Sequence, residues 1–183
     1  HDSSSALIPY LKKFKEEFLL LSTGTWCVTL NPFAKSHLTK SELISECLTY
    51  MTFEGKQVKA SRVFLGNDHE NWTKRFASHF YKSKDYYKTI VFNKDIADQS
   101  NSKPVLIENF YKPEIAFSNP DLDQFDTYEQ AYHKLIADMV ALQSHSILLA
   151  GENQIDGKTL FVDGGFSKNL IFMQLLQQAL HSN

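Results

Sequence analysis

Two short stretches of this chain combine small and hydroxyl-bearing residues in patterns that suit an anion. STGTW, residues 22–26, sets Ser22, Thr23, Gly24 and Thr25 at a break between two β-rich runs. VDGGFSKN, residues 162–169, sets Gly164 and Gly165 between an apolar run and an apolar-periodic one, NLIFMQLLQQAL. Glycine has no Cβ and lets the main chain approach an oxyanion closely, while hydroxyls add donors without adding charge. A strand, a glycine turn and a helix N-terminus in succession form a place for a phosphate or a base. Each stretch taken alone also reads as a plain tight turn. Of the seven glycines in the chain, three sit in these two turns. As a pair, the turns have the means to grip two ends of a nucleotide.

The elements that must position these turns alternate between strand and helix, with no internal repeat or low-complexity tract. ALIPYLKKF, residues 6–14, reads as an opening helix. EFLLLSTGTWCVTL then reads as a hairpin turning at Thr23-Gly24,. CLTYMTF and QVKASRVFL flank Glu54-Gly55-Lys56 as a second hairpin. Asp68 is placed to cap a helix over residues 68–80, in which Trp72, Phe76 and Phe80 recur every four residues,. The span 95–120 carries the Asn, Asp, Ser and Pro of surface loops around one short strand, PVLIENF, and reads as an insertion,. Thr127 and Gln130 fit a capping box at the start of the longest helix, where Tyr132, Leu135, Ile136, Met139 and Val140 make one apolar stripe,. That helix is expected to end near Gly151 with a left-handed cap. The order of elements predicts an α/β domain with a partly antiparallel sheet.

Composition narrows the function classes. At 183 residues, 43% hydrophobic and 13% aromatic, the chain is sized for one domain with a substantial core,. A net charge of -2 and the absence of a Lys/Arg-rich run argue against nucleic acid or an anionic membrane as partner,. No apolar run approaches the roughly 20 residues that span a bilayer, and HDSSSALIPYLKKF lacks the basic-then-apolar order of a signal peptide,. A cytoplasmic location is expected. Cys27 and Cys47 have no metal-like spacing and read as reduced structural thiols, and the seven histidines are scattered,. Trp26, Trp72 and the stripe with Met139 read as packing, Lys168 as a solvated cation, and Gln143 is left out of any base pocket.

These motifs together resemble the FGGY carbohydrate kinases, which share the actin-like ATPase (ribonuclease H-like) fold. The resemblance covers nearly the whole chain and aligns it with the family's second, nucleotide-binding domain. STGTW is similar to the second phosphate hairpin, which carries Gly24 and Thr25 over as ATP phosphate contacts. VDGG, three residues, then Asn resembles the adenosine motif and carries over Gly164, Gly165 and Asn169 as nucleotide contacts. FLGNDHENW is similar to the loop and helix start near the polyphosphate, with Gly66 the matching position. His-Asp-Ser at the N-terminus places Asp2 where the family's ketose kinases hold the general base. Such a carboxylate would orient the sugar hydroxyl and accept its proton as the bond to the γ-phosphorus forms. Asp2 is also suited to cap the opening helix, and one carboxylate can do both.

The resemblance implies ATP and Mg²⁺ as cofactors and the hydroxyl of a ketose or related polyol as acceptor. The tryptophan after Gly24-Thr25 is closer to rhamnulokinases and fuculokinases, whereas VDGG is closer to glycerol kinases. Most sugar contacts in this family come from the first domain, which this chain lacks along with the first phosphate loop. With no initiator methionine and a last helix that nothing follows, the chain reads as a domain incomplete at both ends. Its expected partners are a sugar, the missing N-terminal domain and, as an assembly open to it, a second copy in a homodimer. The isolated piece is expected to be inactive as a kinase. Two rival readings remain: a catalytically degenerate domain that binds nucleotide or sugar for regulation, and a non-catalytic interaction domain whose glycine turns are only structural.

Overall fold

A computed structural model of the chain describes residues 2–52, 54–100 and 121–181, with side chains from Ser5 onward. The strand expected at 104–110 lies outside the described residues. The fold is built on β1 (Phe18–Thr23), whose first four residues are all buried, as a strand covered on both faces requires,. It turns back into β2 (Cys27–Asn31), with Thr23 opposite Cys27, as the hairpin reading expected. β3 (Cys47–Met51) and β4 (Gln57–Val63) form the second expected hairpin, and β4 pairs antiparallel with β2. β5 (Thr159–Gly164) joins the far side of β1 in parallel, which gives a mixed sheet in the order β3-β4-β2-β1-β5.

Helices cover both faces. α1 (Asp2–Lys13) packs Leu7 against Leu20, Leu30, Val58 and Ala60 on one face. On the other, α5 (Tyr128–Ala150) buries its predicted stripe, including Met139, against Leu19, Leu21 and Cys27. α3 (Leu65–His79) and α6 (Leu170–His181) flank α5, while α2 (Lys40–Ile44) and α4 (Lys94–Gln99) are short. Phe14 stands 4.4 Å from the Phe161 ring, and Tyr10 lies 5.1 Å from it and close enough to the Asp163 carboxylate to feel its charge. No helix among the described residues is long and apolar enough to cross a membrane.

Three local expectations are corrected. α3 begins at Leu65, so Asp68 lies in its first turn and is not its cap. The N–H of Gly66 donates to the Thr25 carbonyl at 3.1 Å, and this tertiary bond does the work of a side-chain cap,. α5 does start on Thr127, whose hydroxyl accepts from Gln130 N, but the Gln130 side chain reaches back to the N–H of Asp126 rather than of Thr127. At its other end Gly151 has φ -76, and the left-handed residues are Glu152 and Asn153. The Glu152 carboxylate takes the amides of Lys35 and Ser36, which holds that turn, and Gly151 is needed for space, since a Cβ there would meet Ile155 Cγ2 at 2.7 Å. The last helix opens at Leu170, after a 3₁₀ turn over Gly165–Lys168.

Candidate functional site

β1 and β5 end side by side, with Thr23 opposite Gly164, so the two glycine turns leave the same end of the sheet together. Thr23 joins them. Its buried hydroxyl donates to the Asp163 carbonyl and accepts the Phe166 N–H at 3.0 Å, which fixes the path of the chain through both glycines. Gly164 has φ 89, and a Cβ there would lie 1.9 Å from the Thr23 carbonyl oxygen. Across the gap, a Cβ on Gly66 would lie 2.0 Å from the Gly24 carbonyl oxygen, so the start of α3 is seated directly against the hairpin tip. The Gly24 amide is occupied by the Trp26 carbonyl at 3.0 Å, which leaves the exposed Thr25 as the hydroxyl presented at the tip.

Between these backbones lies a cavity of about 610 Å³. Gly24 and Gly66 line one side, Gly165, Lys168 and Asn169 the other, and residues 87–91 a third. Nothing lies within 4 Å of the point where a Cβ on Gly165 would stand. That volume falls in the range of small-molecule sites, about 300–1,000 Å³. His69, Tyr132 and Phe166 also line it. The Tyr132 hydroxyl bonds His69 Nε2 at 3.0 Å and accepts from Asn169 Nδ2 at 2.8 Å, while Asn169 Oδ1 accepts the Phe172 N–H at 3.1 Å and so caps α6.

Burial governs the electrostatics here. It lowers the His69 pKa to about 4, only partly opposed by the Glu70 charge, so the imidazole is neutral at pH 7. It raises Asp68 to about 6 against the opposing hydrogen bond from Asn67. Burial also raises the Tyr132 phenol, although the Asn169 bond works the other way. Lys88 and Lys168 supply cations at the lining, Lys88 in a 2.7 Å pair with Asp85. Both cysteines are free and buried, and burial pushes the Cys27 thiol up to about 12, which makes it a poor nucleophile,.

Of the residues singled out from sequence, Gly24, Gly66, Gly165 and Asn169 converge on this cavity. Thr25 and Gly164 adjoin it through their backbone contacts with Gly66 and Thr23. Asp2 opens α1, which packs on the opposite face of the sheet from the cavity, and the Asp2 side chain lies outside the described residues. Gln143 is buried, and its carboxamide nitrogen donates to the Thr29 hydroxyl at 3.1 Å. Trp26 has Arg62 over its ring and packs on Phe64 at the rim. Lys168, read as a solvated cation, is exposed and also lines the cavity. His69, Tyr132 and Tyr87 were missed by the sequence reading. His69 alone left a signal: it lies three residues before Trp72 and seven before Phe76, a polar ring on an apolar face,.

No family model matches this chain, and no curated protein matches it. Among solved structures it is similar to a carbohydrate kinase from Novosphingobium aromaticivorans, with a TM-score of 0.59 and 18% identity. The match covers 96% of this chain and 38% of that one, so the chain spans well under half the length of the kinase it resembles. The mixed α/β fold of this chain is that of part of a carbohydrate kinase.

Proposed function

We propose that the cavity holds a nucleotide and that the chain is the nucleotide-binding domain of a FGGY-type carbohydrate kinase, which phosphorylates a sugar or polyol hydroxyl with ATP. The observation that carries this reading is the convergence of Gly24, Gly66, Gly165 and Asn169, from three separate segments, on one cavity. ATP fits the residues present. The open space at Gly165 admits a flat or bulky group beside the backbone, and Asn169 brings a carboxamide to it. The exposed Thr25 is the donor for a phosphate at the hairpin tip, and Lys168 a cation within reach of the same space,. Magnesium would travel with the phosphates; among the described residues no cluster of three or more His, Cys, Asp or Glu side chains is built to hold it.

In this reading, catalysis is mainly positioning and charge stabilisation, with ATP supplying the transferable phosphoryl group. The glycine turns and Asn169 hold the donor, and Asp2 orients the acceptor hydroxyl and takes its proton. The sugar contacts belong to an N-terminal domain of the same polypeptide, and closure of the two domains excludes water. The test is sugar-dependent release of ADP by the two-domain polypeptide across a panel of ketoses and polyols. Asp2→Asn is expected to lower kcat by about 10²–10⁴-fold with nucleotide affinity retained. Full activity in that variant would remove Asp2 from the mechanism, and no turnover with any sugar would count against the kinase reading.

A further inference from the structure

The carboxamide of Asn169 is held from both ends. Its oxygen accepts the Phe172 N–H, and its nitrogen donates to the Tyr132 phenol, which settles which end is which,. Because a carboxamide nitrogen can only donate, the phenol oxygen accepts there, which leaves its own proton free to be given to His69 Nε2, 3.0 Å away,. In that arrangement His69 Nε2 presents its lone pair and the ring proton sits on Nδ1. The imidazole is boxed edge-on by the rings of Tyr87, Tyr132 and Phe166, with centroids at 5.0, 5.8 and 5.2 Å, and burial keeps it neutral. The bonds link Asn169, directly before α6, to Tyr132 on α5 and His69 on α3, and all three residues line the cavity. The second N–H of Asn169 has no place in this chain of bonds.

We infer that Tyr132 and His69 are positioning residues that lock the Asn169 carboxamide so that its second N–H is offered to a hydrogen-bond acceptor on the bound ligand, a ring nitrogen or an oxygen of a nucleoside. This rests on the nucleotide reading of the cavity. Neither residue need touch the ligand. A donor fixed in advance binds better than one that must be ordered on binding. Tyr132→Phe keeps the ring and its packing but frees the carboxamide.

The probe is Mg-AMP-PNP, titrated calorimetrically into the wild-type chain, Tyr132→Phe, His69→Leu and His69→Gln, with circular dichroism to establish that each is folded. Tyr132→Phe and His69→Leu are expected to weaken binding about tenfold, the scale of one hydrogen bond, and His69→Gln, which restores an acceptor for the phenol, to recover most of that loss. In ¹⁵N spectra His69 should carry its proton on Nδ1 in the wild type and lose that preference in Tyr132→Phe. Wild-type affinity in a folded Tyr132→Phe or His69→Leu, or a His69 protonated on Nε2, would overturn the positioning role alone. A wild-type chain that binds no nucleotide would overturn the nucleotide reading and the inference with it.

Discussion

Gly164 and Gly165, neighbours in one turn, answer to different constraints, and substitution separates them. Gly164 combines a positive φ with a Cβ position 1.9 Å from the Thr23 carbonyl oxygen. Gly164→Ala is expected to destabilise the fold by about 3 kcal/mol or more, read as a lower urea midpoint at unchanged slope. Gly165 faces open space instead. Gly165→Val should therefore leave stability within about 0.5 kcal/mol of wild type while filling the cavity beside Asn169. The clamp between the turns is testable in the same way: Thr23→Val keeps the shape but strips the hydroxyl from the Asp163 carbonyl and the Phe166 N–H. A loss of about 1–3 kcal/mol is expected, because buried backbone groups are left unpaired. A neutral Thr23→Val would mean that the turns hold their course without it.

Within α3, two neighbours titrate in opposite senses. His69 has a pKa near 4 against an ordinary 6.5, so the unfolded chain takes up its proton first, and stability falls as pH drops from 6.5 toward 4,. Asp68 is raised from 3.8 to about 6, so the folded chain keeps its proton longer, and stability falls as pH rises across that interval,. Each contributes up to about 3 kcal/mol, and the two offset each other between pH 4 and 6. Asp68→Asn should make stability climb more steeply with pH across this window than in wild type, and His69→Gln less steeply; denaturant melts at pH 4, 5 and 6 would show it. Identical slopes in all three proteins would contradict the burial of both groups.

The same helix shows what a sequence holds locally and what it does not. Both hairpins were legible because a glycine or Glu-Gly-Lys break lies directly between β-rich runs. The start of α3 was not, because the amide of Gly66 in its first turn is satisfied by the Thr25 carbonyl, some forty residues back along the chain. The parallel pairing of β1 with β5 is of the same kind, and it brings the two glycine turns together.

At the scale of the molecule, one sheet end gathers a hairpin tip, a helix start and a glycine turn around a single cavity. The glycines of the site could be picked out from sequence because glycine is scarce here and clusters at turns. Tyr132 and His69 could not, since each lies on an apolar stripe and their shared hydrogen bond joins residues 63 apart. The fold, shared with part of a carbohydrate kinase at 18% identity, leaves the chemistry to be decided at the cavity itself,. The most direct test is calorimetric titration of Mg-AMP-PNP into the wild-type chain and into Gly165→Val. A nucleotide site predicts saturable binding by the wild type that is lost in the equally stable variant. Equal heats from both proteins, or none from a folded wild-type chain, would contradict it.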